Sequence, residues 1–109
     1  MKFSELKTVD LNTREWFDRT YGNTYFAGEL TLNSGMDSEQ SFCLPFQYGY
    51  GGHSETVAAE CLSRVFRRTK WAKELRPLWK LKEIGIVLRT NRETGCTKRE
   101  CKELEFLSY

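Results

Sequence analysis

His53 is the one histidine of the chain, and it is followed directly by Ser54 and Glu55. A base, a hydroxyl and a carboxylate are the ingredients of nucleophilic catalysis. A working relay, however, is assembled from side chains distant in sequence, with a third group orienting the base, and consecutive positions do not supply that arrangement. No G-x-S-x-G elbow accompanies them. His53 therefore reads as a solvent-facing residue at a helix start, and no catalytic residue is assigned.

The same histidine closes the run Gln47-Tyr-Gly-Tyr-Gly-Gly-His53. Glycine admits positive φ and close backbone approach, and the N–H groups that open a helix attract anions, so the run is a candidate contact site. It is neither G-x-x-x-x-G-K-[ST] nor G-x-G-x-x-G, which argues against nucleotide binding. Two readings stand. In one, Tyr48 and Tyr50 pack on the sheet and the run is a tight turn; in the other they anchor a partner, with Gly51, Gly52 and His53 beside them.

Cys96 and Cys101 are a loose pair, with Cys43 and Cys61 elsewhere, unlike the paired C-x-x-C clusters of zinc sites. Neither a metal nor another cofactor is expected. Cys61 falls on an apolar helix stripe and reads as a small core residue.

A basic segment is the third candidate. Arg64, Arg67, Arg68, Lys70, Lys73, Arg76, Lys80 and Lys82 face one acid, Glu74, and are interleaved with Phe66, Trp71 and Trp79. Cations neutralise phosphates and exposed aromatics stack on bases, so this stretch suits DNA or RNA. The pI of 8.4 lies below the range of dedicated binders, and no RNP, KH or zinc-finger signature occurs. A basic face that contacts an acidic protein explains the segment as well.

The elements that must position these groups follow from periodicity. Asn12 and Glu15 have the spacing of a capping box, which predicts a short helix burying Trp16 and Phe17 and ending at Gly22-Asn23. Alternation from Thr24 to Leu32, with Phe26, Gly28, Leu30 and Leu32 inward and Tyr25, Glu29 and Thr31 wet, predicts a strand. Phe42, Leu44 and Phe46 continue it as a hairpin whose Pro45 marks a sheet edge.

After His53, Ala58, Leu62 and Phe66 form one row and Val57, Cys61 and Val65 another, which predicts an amphipathic helix with Ser54 as N-cap and Arg67 and Arg68 near its end. A second helical piece, Lys70 to Leu75, stops before Pro77. Ile84, Ile86 and Leu88 mark a third strand, and Leu104 and Phe106 a fourth. The order α-β-β-α-α-β-β predicts an α+β fold: a four-stranded antiparallel sheet from two hairpins, with helices on one face.

At 109 residues the chain is sized for a single domain spanning 1–109, and 39% hydrophobic and 14% aromatic residues exclude disorder. No stretch is long and apolar enough for a membrane span and the N-terminus lacks the apolar segment of a signal peptide, so a cytoplasmic protein with reduced thiols is expected. Charge is uneven: residues 1–60 hold four Lys/Arg against nine Asp/Glu, whereas residues 61–109 hold thirteen against six. That asymmetry predicts an acidic and a basic face.

Glu15-Trp-Phe-Asp18, Gly22-Asn-Thr-Tyr-Phe26 and Pro45-Phe-Gln-Tyr-Gly-Tyr-Gly51, which cover roughly the first half of the chain, resemble segments of small proteins encoded in bacteriophage genomes. The resemblance implies a setting rather than a catalytic residue. Phage accessory proteins of this size with no enzyme signature commonly block host defence systems, such as CRISPR effectors, by binding them. That implies a host protein or ribonucleoprotein as partner; the basic segment adds a nucleic acid, and an edge strand or exposed aromatic patch adds a second copy of the chain. A DNA mimic would be acidic throughout, which this chain is not.

Overall fold

The computed structural model describes residues 1–74 and 77–107, with side chains up to Leu104. Four strands, β1 (Thr8–Asp18), β2 (Asn23–Leu32), β3 (Gln40–Tyr48) and β4 (Val87–Glu93), combine with three helices, α1 (His53–Val65), α2 (Lys70–Lys73) and α3 (Lys98–Leu107). Short 3-10 turns occupy Phe3–Glu5 and Leu78–Ile84. The class is α+β and the sheet is four-stranded, in the order β3-β2-β1-β4.

Three details of the expected architecture are corrected. The segment around Asn12–Phe17 is not a helix but the middle of β1, where Val9, Leu11, Thr13 and Glu15 point inward on alternate residues. Phe17, expected in the core, is 52% exposed. Pairing on both sides decides the matter. Val9 and Leu11 lie opposite Leu32 and Leu30 of β2, while Val9 and Leu11 register with Leu88 and Thr90 of β4. Gly22-Asn23 closes the β1–β2 hairpin, with Gly22 at φ 70° and its N–H donating to Asp18 O at 2.7 Å.

Second, β4 runs parallel to β1, so the sheet is mixed and not purely antiparallel. Ile84 belongs to the preceding 3-10 turn, not to a strand. Third, the Leu104 segment is the helix α3, and it packs on the sheet face opposite α1, so helices cover both faces. Leu75 and Arg76 lie outside the described residues.

The main core lies between the sheet and α1. Val9, Leu11, Leu30, Leu32 and Leu44 meet Ala58, Cys61, Leu62 and Phe66, the stripe expected from the 3.6-residue period, and Phe3, Trp71, Leu78 and Leu81 close its far side. On the opposite face Ala27, Cys101 and Leu104 form a smaller core with Trp16 and Phe46 at its margin. Thr31, expected to be wet, is buried there and bonds Glu29 and Ser41. Pro45 does sit on an edge strand, and none of the described helices is long and apolar enough to cross a membrane.

The expected acidic and basic faces do not separate cleanly, because the fold pairs the two halves. Asp10 accepts two hydrogen bonds from Arg89, at 2.6 and 3.0 Å, and Glu15 lies 3.5 Å from Arg92. Arg14 reaches Glu93 and Glu103, both at 3.8 Å.

Candidate functional site

The glycine run lies between β3 and α1 and is fixed to the sheet. The Gly49 N–H donates to Thr24 O at 3.0 Å, continuing the β2–β3 ladder by one residue. A Cβ at Gly49 would lie 2.8 Å from Phe26 Cε1 and run into the His53 ring, so glycine is required there for close approach. Gly51 takes φ 58°, the left-handed turn that lets the chain enter α1. The His53 N–H returns to Tyr50 O at 3.2 Å, and those of Glu55 and Thr56 return to Gly52 O at 3.1 and 3.3 Å. Gly52, not Ser54, is the N-cap, and Ser54 is buried in the first turn of the helix.

Three depressions adjoin this loop. One of about 390 Å³ is lined by Tyr48, Gly49, Tyr50 and His53. A second, about 190 Å³, lies between the loop and the sheet, among Thr13, Gly51, Gly52, Ser54, Thr90 and Arg92. The largest, about 470 Å³, runs along α1 from Gly52 past Ala59 and Ser63 to Pro77 and Trp79. Gly52 borders two of the three. Tyr48 and Tyr50 are 55% and 69% exposed, which excludes the reading in which both pack into the sheet; Tyr48 touches it edge-on to Tyr25 at 5.8 Å.

The three polar residues at the helix start do not converge. The exposed His53 ring lies edge-on to Phe26 at 6.0 Å and, among the described residues, takes part in no hydrogen bond or ion pair. Glu55 is exposed and Ser54 is buried. The carboxylate that sequence reasoning overlooked is Glu15, buried beside the guanidinium of Arg92. Its neighbour is supplied by a parallel strand 77 positions later, so no local pattern marks the pair.

The basic segment divides. Arg64, Arg67, Arg68, Lys70 and Lys73 are exposed at the C-terminal end of α1 and on α2, whereas Arg76 lies outside the described residues. Phe66 and Trp71 are core residues, packed edge-on and stacked against Phe3 at 5.2 and 6.2 Å, so they are unavailable to bases. Trp79 is 52% exposed but belongs to the α1 groove, with Lys80 Nζ 5.1 Å from its ring centroid. The loop and Arg64 thus lie toward opposite ends of α1, a 13-residue helix about 20 Å long, with the other cations beyond it.

Cys61 and Cys101 are buried, and burial pushes the Cys61 thiol up and the Cys101 thiol up to about 11. Cys96 is raised as well, by desolvation first and then by Glu100 and Glu93. Low-pKa, nucleophilic thiolates are absent from these three positions. Among the described residues no three His, Cys, Asp or Glu side chains cluster as a metal site would need. Comparison with known protein families, with curated proteins and with solved structures finds no match.

Proposed function

We propose that this chain is a phage-encoded, non-enzymatic inhibitor that binds a bacterial defence assembly, such as a CRISPR effector, in the host cytoplasm and covers one of its functional surfaces. The contact surface is the Tyr48–His53 loop together with Trp79 across the α1 groove. One observation carries this reading: the exposed rings of Tyr48 and Tyr50 line a depression of a loop whose backbone is pinned at Gly49, and the exposed ring of Trp79 lines the α1 groove that starts at Gly52 of the same loop. Rigid Tyr and Trp side chains bury large area at low entropy cost and dominate the energetics of protein contacts. The phage-like segments support the setting.

The test is an interference assay in cells that carry a CRISPR system and a targeted plasmid. Expressing the chain should restore plasmid survival. Tyr50→Ala combined with Trp79→Ala should reduce that protection about tenfold or more, since each hot-spot truncation costs about 2 kcal/mol or more. Unchanged protection by a folded double variant refutes the assigned surface.

A second reading has a specific observation in its favour: Arg64, Arg67, Arg68, Lys70 and Lys73 are all exposed, with Lys70 paired to Glu74 at 3.8 Å. In that reading the chain is a small DNA- or RNA-binding accessory protein. Binding would then fall steeply with salt and be lost in Arg67→Glu/Arg68→Glu.

A further inference from the structure

We infer that the outer face of the sheet beside α3 is a stacking site for single-stranded nucleic acid, separate from the Arg64–Lys73 cations and meeting the glycine loop at Tyr48 alone. Four rings from three neighbouring strands meet there. Trp16 of β1 lies 5.6 Å from Tyr25 of β2 and 6.2 Å from Phe46 of β3, Tyr25 stacks on Phe46 at 5.4 Å with planes 8° apart, and Tyr48 adjoins Tyr25. Trp16, Tyr25 and Phe46 are half-buried and Tyr48 is exposed.

What covers these rings identifies the ligand. Lys98 and Lys102, one turn apart on α3, hold their ammonium groups 5.6 Å from the Trp16 centroid and 5.4 Å from that of Phe46. Ring faces reached by a solvated cation are faces that an incoming planar group reaches by the same route. Two acids of this helix, Glu100 and Glu103, are engaged elsewhere. Glu100 accepts from the Thr97 N–H at 2.9 Å, and Glu103 lies near Arg14 and Arg99 at 3.8 and 4.0 Å. Among the described residues neither lysine has an ion-pair partner.

An apolar protein surface placed on these rings would strip water from two cations and return no counter-charge, which is costly. A nucleic acid strand supplies both needs: its bases replace the ammonium groups over the rings, and its phosphates receive the displaced lysines. The strand must be single, because duplex bases are stacked on each other and present only their edges. Two or three bases fill a platform of this kind, by the measure of other aromatic sheet surfaces.

Fluorescein-labelled ten-nucleotide dT and U strands, titrated with the whole chain at low salt, test the assignment. Anisotropy should rise, with binding falling in salt along a log–log slope of about −1.4, the value for two phosphates on a single strand. Tyr48→Ala and Lys98→Ala/Lys102→Ala should each weaken binding about tenfold or more, the loss of one stacked base or of both cations. Tyr48→Phe, which keeps the ring, should bind like the parent, and thermal melting verifies that each variant is folded. Preference for either strand chemistry leaves the assignment standing and names the natural ligand. No binding at low salt, duplex binding as tight as single-strand binding, or a loss confined to Arg67→Glu/Arg68→Glu would overturn it. Because Tyr50 and Trp79 lie outside the platform, their substitution leaves this result unchanged and keeps it separate from the inhibitor test.

Discussion

Asn33 shows how one polar side chain organises a whole corner of the protein. It is fully buried at φ 51°, a left-handed conformation that asparagine tolerates. Its Oδ1 accepts from the N–H groups of Lys7 and Thr8 at 2.7 and 3.2 Å, and its Nδ2 donates to Glu5 O and Ser38 Oγ, both at 2.9 Å. The N-terminal segment, β1 and the β2–β3 loop are thereby tied together. Asn33→Ala leaves these groups unpaired in the interior and should cost about 2–4 kcal/mol, measured by chemical denaturation. A loss under about 1 kcal/mol would mean that the network contributes little. Cys101 makes an opposite case, a reactive atom type made inert by its surroundings. With its thiol pushed up to about 11 by burial, it stays protonated at neutral pH. Alkylation of the native protein at pH 8 should spare Cys101, and unfolding should expose it. Rapid native labelling, read by mass spectrometry, would contradict the burial described here.

Helix α3 depends on its first turn. Thr97 Oγ1 accepts from the Glu100 N–H at 3.1 Å while Glu100 Oε1 accepts from the Thr97 N–H at 2.9 Å, a reciprocal cap. The bond from the Thr97 N–H, and then the Thr97 side chain, hold the Glu100 carboxyl below the usual carboxylate range. A carboxyl depressed in the folded state gives stability that is present above its unfolded value, near 4.3, and lost as pH falls through the folded value. Glu100→Gln should therefore flatten the acid limb of the melting curve, and Thr97→Ala, which keeps the backbone N–H bond, should flatten it only in part. A wild-type acid limb in Glu100→Gln would rule the cap out as its source. The Thr97-x-x-Glu100 spacing went unread, because Leu104 and Phe106 alternate like a strand and gave the opposite expectation. Asn12 and Glu15 misled in the reverse direction. Their capping spacing is real, but Thr13 and Glu15 stand at inward strand positions where apolar residues would have announced β1. Helix α1 and the β2–β3 hairpin were legible because most inward positions are apolar or small, although past the bulge Gln47 takes the place opposite Phe26 and Phe46 turns to the α3 side. The glycine loop was legible for the same local reason. Trp79 at its side was not, since the α1 groove is formed by a turn that returns only through tertiary packing. Nor was the aromatic platform, whose rings become neighbours through strand register alone.

Across the whole molecule, β1 is the element on which the rest depends. It alone pairs with strands from both halves of the chain, antiparallel to β2 and parallel to β4, and its inward residues serve the main core. The acidic half and the basic half meet along the same strand, through Asp10–Arg89 and Glu15–Arg92 on one charge sense and Arg14–Glu93 on the other. The Arg89 and Glu93 pairs are exposed and each adds little to stability, but together they favour the β4 register seen over a shift that would set like charges side by side. A chain joined in this way has no seam at which β4 and α3 can leave without uncovering β1. Native-state hydrogen exchange should then find the amides of Val9–Glu15 exchanging only through global unfolding, with Val87–Glu93 reaching the same limit as denaturant rises. Of the two edge strands, β3, interrupted at Pro45, should exchange first. If residues of β4 and α3 instead opened together at a free energy well below the global value, the chain would consist of two cooperative units, and the single-domain organisation expected from its length would be wrong.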